Sequence, residues 1–116
     1  MLTIYGIKSC STCREAMKWL NSRDIAYRFH DLRDDGIDIQ TLERWADSVE
    51  WEKLLNKSSL TWRKLPDVDR SGMTRNRALA AIIEHPTLVK RPVLENGKQV
   101  ALGFSAQRYA EILGER

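Results

Sequence analysis

Lys8-Ser9-Cys10-Ser11-Thr12-Cys13-Arg14 holds the only two cysteines of the chain, three positions apart, just after Leu2-Thr3-Ile4-Tyr5-Gly6. Leu2 to Tyr5 reads as a short strand that Gly6 breaks. From Cys13 onward the apolar residues Cys13, Ala16, Met17 and Leu20 follow the i, i+3, i+4, i+7 spacing of one helical face. The order is therefore strand, loop, helix, with Cys10 at the helix start. A helix N-terminus carries partial positive charge and unpaired N–H groups, both of which favour a thiolate over a thiol and attract anions. Magnitude shows that more is needed. Moving a thiol from a pKa near 8.5 to roughly 6.5 takes about 2.7 kcal/mol, whereas a helix end supplies ~0.3–1 and seldom more than ~2. Lys8, Arg14 and hydrogen bonds from the first-turn N–H groups are the candidates for the remainder, and Ser11 or Thr12 is the expected helix cap.

Working outward, Ile25 to His30 is a second strand candidate after the turn-prone Asn21-Ser22-Arg23-Asp24. It completes a βαβ unit with parallel strands and puts the cysteine loop at the carboxyl end of the first strand, where open α/β sheets bind ligands. Residues 33–86 read as helical, with Leu42, Trp45, Ala46 and Val49 on one face and Leu79, Ile82 and Ile83 on another. Arg91 to Glu95, Asn96-Gly97 and Lys98 to Leu102 form a hairpin signal. A closing helix is expected from Ser105 to about Leu113, with Ala106, Tyr109, Ala110 and Leu113 together.

With 116 residues, 42% hydrophobic and 30% charged, the chain fits one globular domain, 1–116. The N-terminal residues lack a basic segment leading into a long apolar one, and the longest apolar run, Ala78 to Ile83, is far short of a membrane span. A soluble, cytoplasmic protein is expected. In a reducing compartment a CxxC pair is redox-active or metal-binding more often than structural. His30 and His85 lie far from the cysteines and from each other in sequence, at no ligand spacing, so no metal site is expected. The net charge of +3 suits a small anionic substrate or an acidic partner patch. No basic run with interleaved aromatics argues for direct nucleic-acid binding. Trp19, Trp45, Trp51 and Trp62 read as packing residues, with Trp62 beside Arg63 and Lys64 also a candidate to line a cleft.

The CxxC at a helix start, the Lys90-Arg91-Pro92-Val93 segment about eighty residues later, and Leu102-Gly103-Phe104-Ser105 after a hairpin together resemble the arsenate reductase (ArsC) family, most closely its Spx/YffB branch. The resemblance covers nearly the whole chain. It implies an α/β, thioredoxin-like (glutaredoxin-type) mixed sheet flanked by helices, with a helical insertion at about 33–86. It also implies a cis-proline, Pro92, opposite a nucleophilic Cys10. Cys13 is then the resolving thiol, unless a second glutathione takes that part. Arg91 joins Cys10 and Cys13 as the catalytic set, and Lys8, Ser11, Thr12, Arg14 and Pro92 are the expected substrate-binding residues. Of the three arginines that clamp arsenate in the true reductases only Arg91 matches, since Asn56 and Phe104 stand at the other two positions. Lys57 and Arg63 are the candidates to compensate.

The function these features imply is thiol-disulfide oxidoreduction, with glutathione as co-substrate and no tightly bound cofactor. The partners implied are glutathione or a small anionic or disulfide substrate, with a glutaredoxin or thioredoxin as donor, and the chain is expected to act as a monomer away from membranes. Two alternatives stay open. One is arsenate reduction. The other is an Spx-like redox-sensing regulator that binds RNA polymerase, a branch whose members extend past the terminal helix while this sequence ends at Arg116.

Overall fold

The computed structural model describes residues 2–114, and Met1, Glu115 and Arg116, which the expected domain includes, lie outside the described residues. The elements in chain order are β1 (Leu2–Gly6), α1 (Ser11–Ser22), β2 (Arg28–Asp31), α2 (Ile39–Ser48), a 3₁₀ turn (Trp51–Leu54), α3 (Leu60–Lys64), α4 (Asp67–Ser71), α5 (Arg75–Glu84), a second 3₁₀ turn (Pro86–Leu88), β3 (Val93–Asn96), β4 (Gln99–Leu102) and α6 (Ala106–Leu113). They form two compact units, Met1–Asp35 with Arg91–Arg116, and Gly36–Lys90.

The first unit is a mixed four-stranded sheet in the order β2-β1-β3-β4. β1 and β2 are parallel, with Thr3 opposite Arg28, as the βαβ pattern predicts. β3 runs antiparallel to both β1 and β4. Ile4, Ala16, Leu20, Leu94, Ala101 and Tyr109 make one buried cluster between the sheet and the apolar faces of α1 and α6. Complete burial of an aliphatic side chain of this size contributes roughly 1.5–3 kcal/mol, so the periodic face of α1 fixes how the helix sits on the sheet.

Two expectations here are corrected. β2 begins at Arg28, not Ile25, because the backbone before it is committed to ending α1. The N–H groups of Arg23 and Ile25 donate to Leu20 C=O (3.2 and 3.1 Å), that of Asp24 donates to Asn21 C=O (3.1 Å), and Asp24 is left-handed at φ 55°. Ile25 and Tyr27 still pack against the core. In the hairpin, Asn96 pairs with Gln99, which leaves Gly97 and Lys98 as the two-residue loop. Gly97 takes the positive φ, 61°, at the first central position, the place a type II′ turn gives to glycine.

The second unit rests on α2 and α5. Asp38 caps α2 by accepting the Thr41 N–H at 2.8 Å, and the Thr74 hydroxyl accepts the Arg77 N–H at 3.3 Å to cap α5. Leu42, Trp45, Ala46, Leu79 and Ile82 are buried as the periodicity predicts, but Ile83 is 40% exposed and leaves the expected core face. Arg75 ties the helices by an ion pair to Asp47 (2.9 Å) and a bond to Ala46 C=O (3.3 Å). The unit is closed at its base by a Leu55–Val89 bridge and by Lys90 N–H donating to Leu54 C=O at 2.8 Å. No helix among the described residues is long and apolar enough to cross a membrane.

Candidate functional site

Cys10 itself is the N-cap of α1, in extended backbone at φ −80°, ψ 120°. Its N–H donates to Ile7 C=O (3.0 Å) and its C=O accepts the first helical N–H, from Arg14 (3.1 Å). Ser11 and Thr12, expected to cap the helix, are instead its first two residues. A cap residue must have non-helical backbone, and here that residue is the cysteine. The sulfur thus occupies the place of a capping oxygen. The thiol makes no capping hydrogen bond, yet the Cys13 N–H lies close enough to favour the charged form.

The two thiols, both free, differ sharply. Burial pushes the half-buried Cys10 upward, but the Cys13 N–H, the Cys13 thiol and the Arg91 guanidinium outweigh it and hold Cys10 below the ordinary thiol value. Cys13 is completely buried and is pushed up to about 12, chiefly by burial and further by the neighbouring Cys10, against lowering by the Ile7 N–H and by Arg91. Cys13 therefore keeps its proton where Cys10 loses one. Its sulfur lies over Gly6, where a Cβ would sit only 2.6 Å away. Tyr109 is buried nearby and donates its hydroxyl to Gly103 C=O at 3.2 Å.

Arg91 reaches Cys10 with its side chain and precedes a cis peptide bond to Pro92. Pro92 is buried and its C=O accepts the Gly103 N–H at 2.8 Å, which anchors the segment to the end of β4. Cys10, Cys13, Arg91 and Pro92 thus come together within the first unit. Lys8 and Arg14 both engage the cysteine loop. Arg14 donates to Lys8 C=O at 3.4 Å, and Lys8 Nζ pairs with Asp34 at 3.2 Å on the exposed surface. Ser11 is exposed and Thr12 half-buried on the first turn.

The residues at the two unmatched clamp positions have other employment. Asn56, in the second unit, accepts the Ser58 N–H through its side chain (3.2 Å) and the Ser59 hydroxyl through its C=O (2.7 Å). Phe104 stacks edge-on against Tyr109 with centroids 5.0 Å apart and lies 6.5 Å from Trp19. Sequence reasoning missed Asp31, whose carboxylate accepts the Arg33 and Asp34 N–H groups at 2.8 and 3.0 Å, next to the cysteine loop. The only signal was the Asp-rich turn that follows β2, which suits a side chain that bonds its own downstream backbone. Among the described residues no three His, Cys, Asp or Glu side chains gather to hold a metal ion.

Such a site presents a thiol held below its ordinary value beside a guanidinium, with a second thiol that keeps its proton more firmly beneath it. It can attack an electrophilic sulfur and hold an anionic group in the same step.

The model of the ArsC family matches residues 5–112. Among curated relatives, an uncharacterized protein of Haemophilus influenzae is 38% identical over 109 residues, covering 94% of this chain and 96% of that protein. The global transcriptional regulator Spx of Lactiplantibacillus plantarum is 25% identical over 115 residues, covering 97% of this chain and 86% of Spx. Among solved structures, one titled YFFB protein superposes with a TM-score of 0.92 at 36% identity over 96% of this chain and 97% of that one. The mixed sheet with its flanking helices is thus of the thioredoxin-like class that the sequence resemblance implied.

Proposed function

The chain belongs to the ArsC family, and from that premise we propose that it is a glutathione-linked thiol-disulfide oxidoreductase with Cys10 as nucleophile. The Cys10 thiolate attacks one sulfur of a substrate disulfide R–S–S–R′, forms Cys10–S–S–R and releases R′S⁻, which takes a proton from water. A glutathione thiolate then attacks the Cys10 sulfur and releases RS⁻, and a second attacks the glutathione sulfur of Cys10–S–S–G to give glutathione disulfide and free Cys10; in the other route Cys13, once deprotonated, attacks Cys10 and releases RS⁻. The substrate gains two electrons and either glutathione or the Cys10–Cys13 pair loses them. A glutaredoxin or thioredoxin is the fitting donor for the latter form. Arg91 and the first-turn N–H groups hold the anionic part of the substrate.

The observation that carries this reading is the asymmetry of the pair. Cys10 is held below the ordinary thiol value although burial opposes it, while Cys13, pushed up chiefly by burial, stays protonated to about 12. A buried thiol that keeps its proton is the weaker attacker, and proximity to Cys10 offsets only part of that. Cys10→Ser is expected to abolish reduction of a glutathionylated peptide and Cys13→Ser to slow it while leaving measurable turnover. Equal and complete loss in both variants would overturn the assignment of roles.

Arsenate reduction is the weaker reading, since stabilising a multiply charged oxyanion needs converging cations and Asn56 and Phe104 are occupied in turn formation and aromatic packing. The match to Spx along 97% of this chain supports a second reading, a regulator that binds RNA polymerase with its cysteine pair as the switch. Capture of polymerase subunits that differs between oxidised and reduced protein would favour it over the enzyme.

A further inference from the structure

The cysteine loop is held from one side by the segment that leaves β2. Leu32 N–H donates to Gly6 C=O at 2.8 Å, and Asp34 pairs with the Lys8 ammonium at 3.2 Å. Just before them is Asp31, only 5% exposed, with one carboxylate oxygen accepting from Arg33 and Asp34 at 2.8 and 3.0 Å. The Lys8 N–H, two residues before Cys10, lies near enough to favour the charged form of the same carboxylate. Its own N–H donates to the Asp35 carboxylate at 3.1 Å. On the other side, Arg14 reaches back from α1 to Lys8 C=O at 3.4 Å. The Lys8 C=O is thereby fixed, with its N–H beside the Asp31 carboxylate.

We propose that Asp31 is a positioning residue for Cys10, acting through the turn it closes beside Gly6 and Lys8 to hold the loop so that the sulfur faces the start of α1 and Arg91. The inference rests on the thiolate reading of the site. A carboxylate that accepts two N–H groups is committed to its geometry, and the Asp34 N–H first, with the Arg33 N–H and the nearby Lys8 N–H after it, holds it below the usual carboxylate value despite burial. The Lys8–Asp34 ion pair is exposed on both sides and holds the loop far less.

The sign of the effect on Cys10 separates positioning from charge. Asp31 is a negative group near the site, so its removal by charge alone makes Cys10 more acidic. A loosened loop carries the sulfur away from the Cys13 N–H and Arg91 and makes it less acidic. The test is the pH dependence of Cys10 alkylation by iodoacetamide in the parent, Asp31→Asn, Asp31→Ala and Asp34→Asn proteins, together with hydrogen exchange at the Lys8 amide. The expected result is a rise in the Cys10 midpoint for Asp31→Ala, with about tenfold less thiolate at pH below both midpoints. Asp31→Asn, which keeps one acceptor oxygen and serves if the alanine variant does not fold, is expected to shift in the same direction by less. Lys8 exchange should speed up in both, and Asp34→Asn should change neither readout by more than about twofold. A Cys10 midpoint that falls or stays fixed in the Asp31 variants, with the parent midpoint low, would overturn the proposal. A parent midpoint at the ordinary thiol value would overturn the thiolate reading and this inference with it.

Discussion

Gly6 shows how tightly the residue pattern of the site is coupled. It ends β1 directly beneath Cys13, and an added Cβ would meet the Cys13 sulfur at 2.6 Å and its Cβ at 3.2 Å. Neither side has room to give. Cys13 is a short, wholly buried side chain on a helix, and Gly6 is fixed by pairing with Asp31 and by its C=O accepting the Leu32 N–H at 2.8 Å. Gly6→Ala is therefore expected to destabilise the protein by roughly 1–3 kcal/mol, the usual cost of overpacking. Because most of the conflict is with the sulfur, the same substitution in a Cys13→Ala background should cost less than half as much, the residue of the cost coming from the Cβ contact. Urea unfolding of the four proteins of this double-mutant cycle measures the coupling. Strictly additive effects would mean that the sulfur is not the obstacle.

The helices follow the sequence pattern in their caps and main buried residues, although in α6 Ala106, expected on the inner face, is exposed. Ser105 caps α6 by accepting the Arg108 N–H at 3.3 Å, Gly114 ends it in left-handed backbone at φ 71°, and Tyr109 on its inner face is completely buried. Ser105→Ala is expected to lower stability by about 1 kcal/mol, read from the urea midpoint, with the alkylation rate of Cys10 unchanged. The apolar period of α1 and α6 was visible because a helix buries one stripe, and Cys13, Ala16, Leu20 and Tyr109 all obey it. Ile83 does not, since a stripe on a helix that buries only part of its circumference has an edge that spacing alone does not locate. The start of β2 and the hairpin loop were misplaced by hydrogen bonds that sequence does not display, those ending α1 and those pairing Asn96 with Gln99. Within the site, Cys10 and Arg91-Pro92 were legible through a helix start and a family resemblance. Asp31 was not, because its part depends on the register of the β1–β2 pairing, which sets it opposite Gly6, and on the turn its carboxylate closes after β2.

Across the whole chain, the unequal thiols make stability depend on pH in two opposing directions. Cys13 holds its proton to about 12 in the folded protein, chiefly because it is buried, whereas in the unfolded chain it ionises near the ordinary value of about 8.5. Above about pH 8.5 the unfolded state therefore binds fewer protons than the folded one, and stability falls by up to roughly 1.4 kcal/mol per pH unit as far as about pH 12. Cys10 acts the other way. Burial raises it, but the Cys13 N–H, Cys13 thiol and Arg91 lower it more, so the folded protein loses this proton first and gains stability as pH rises from that point to about 8.5. Beyond that the Cys10 contribution is constant. Parent, Cys10→Ala and Cys13→Ala proteins, unfolded by urea under reducing conditions from pH 6 to 10, separate the two contributions. The stability difference between parent and Cys10→Ala should grow in favour of the parent up to about pH 8.5, while the difference from Cys13→Ala should turn against the parent above that pH. Parallel curves across the range would mean that the two thiols share one environment, and the division of labour between them would have no physical basis.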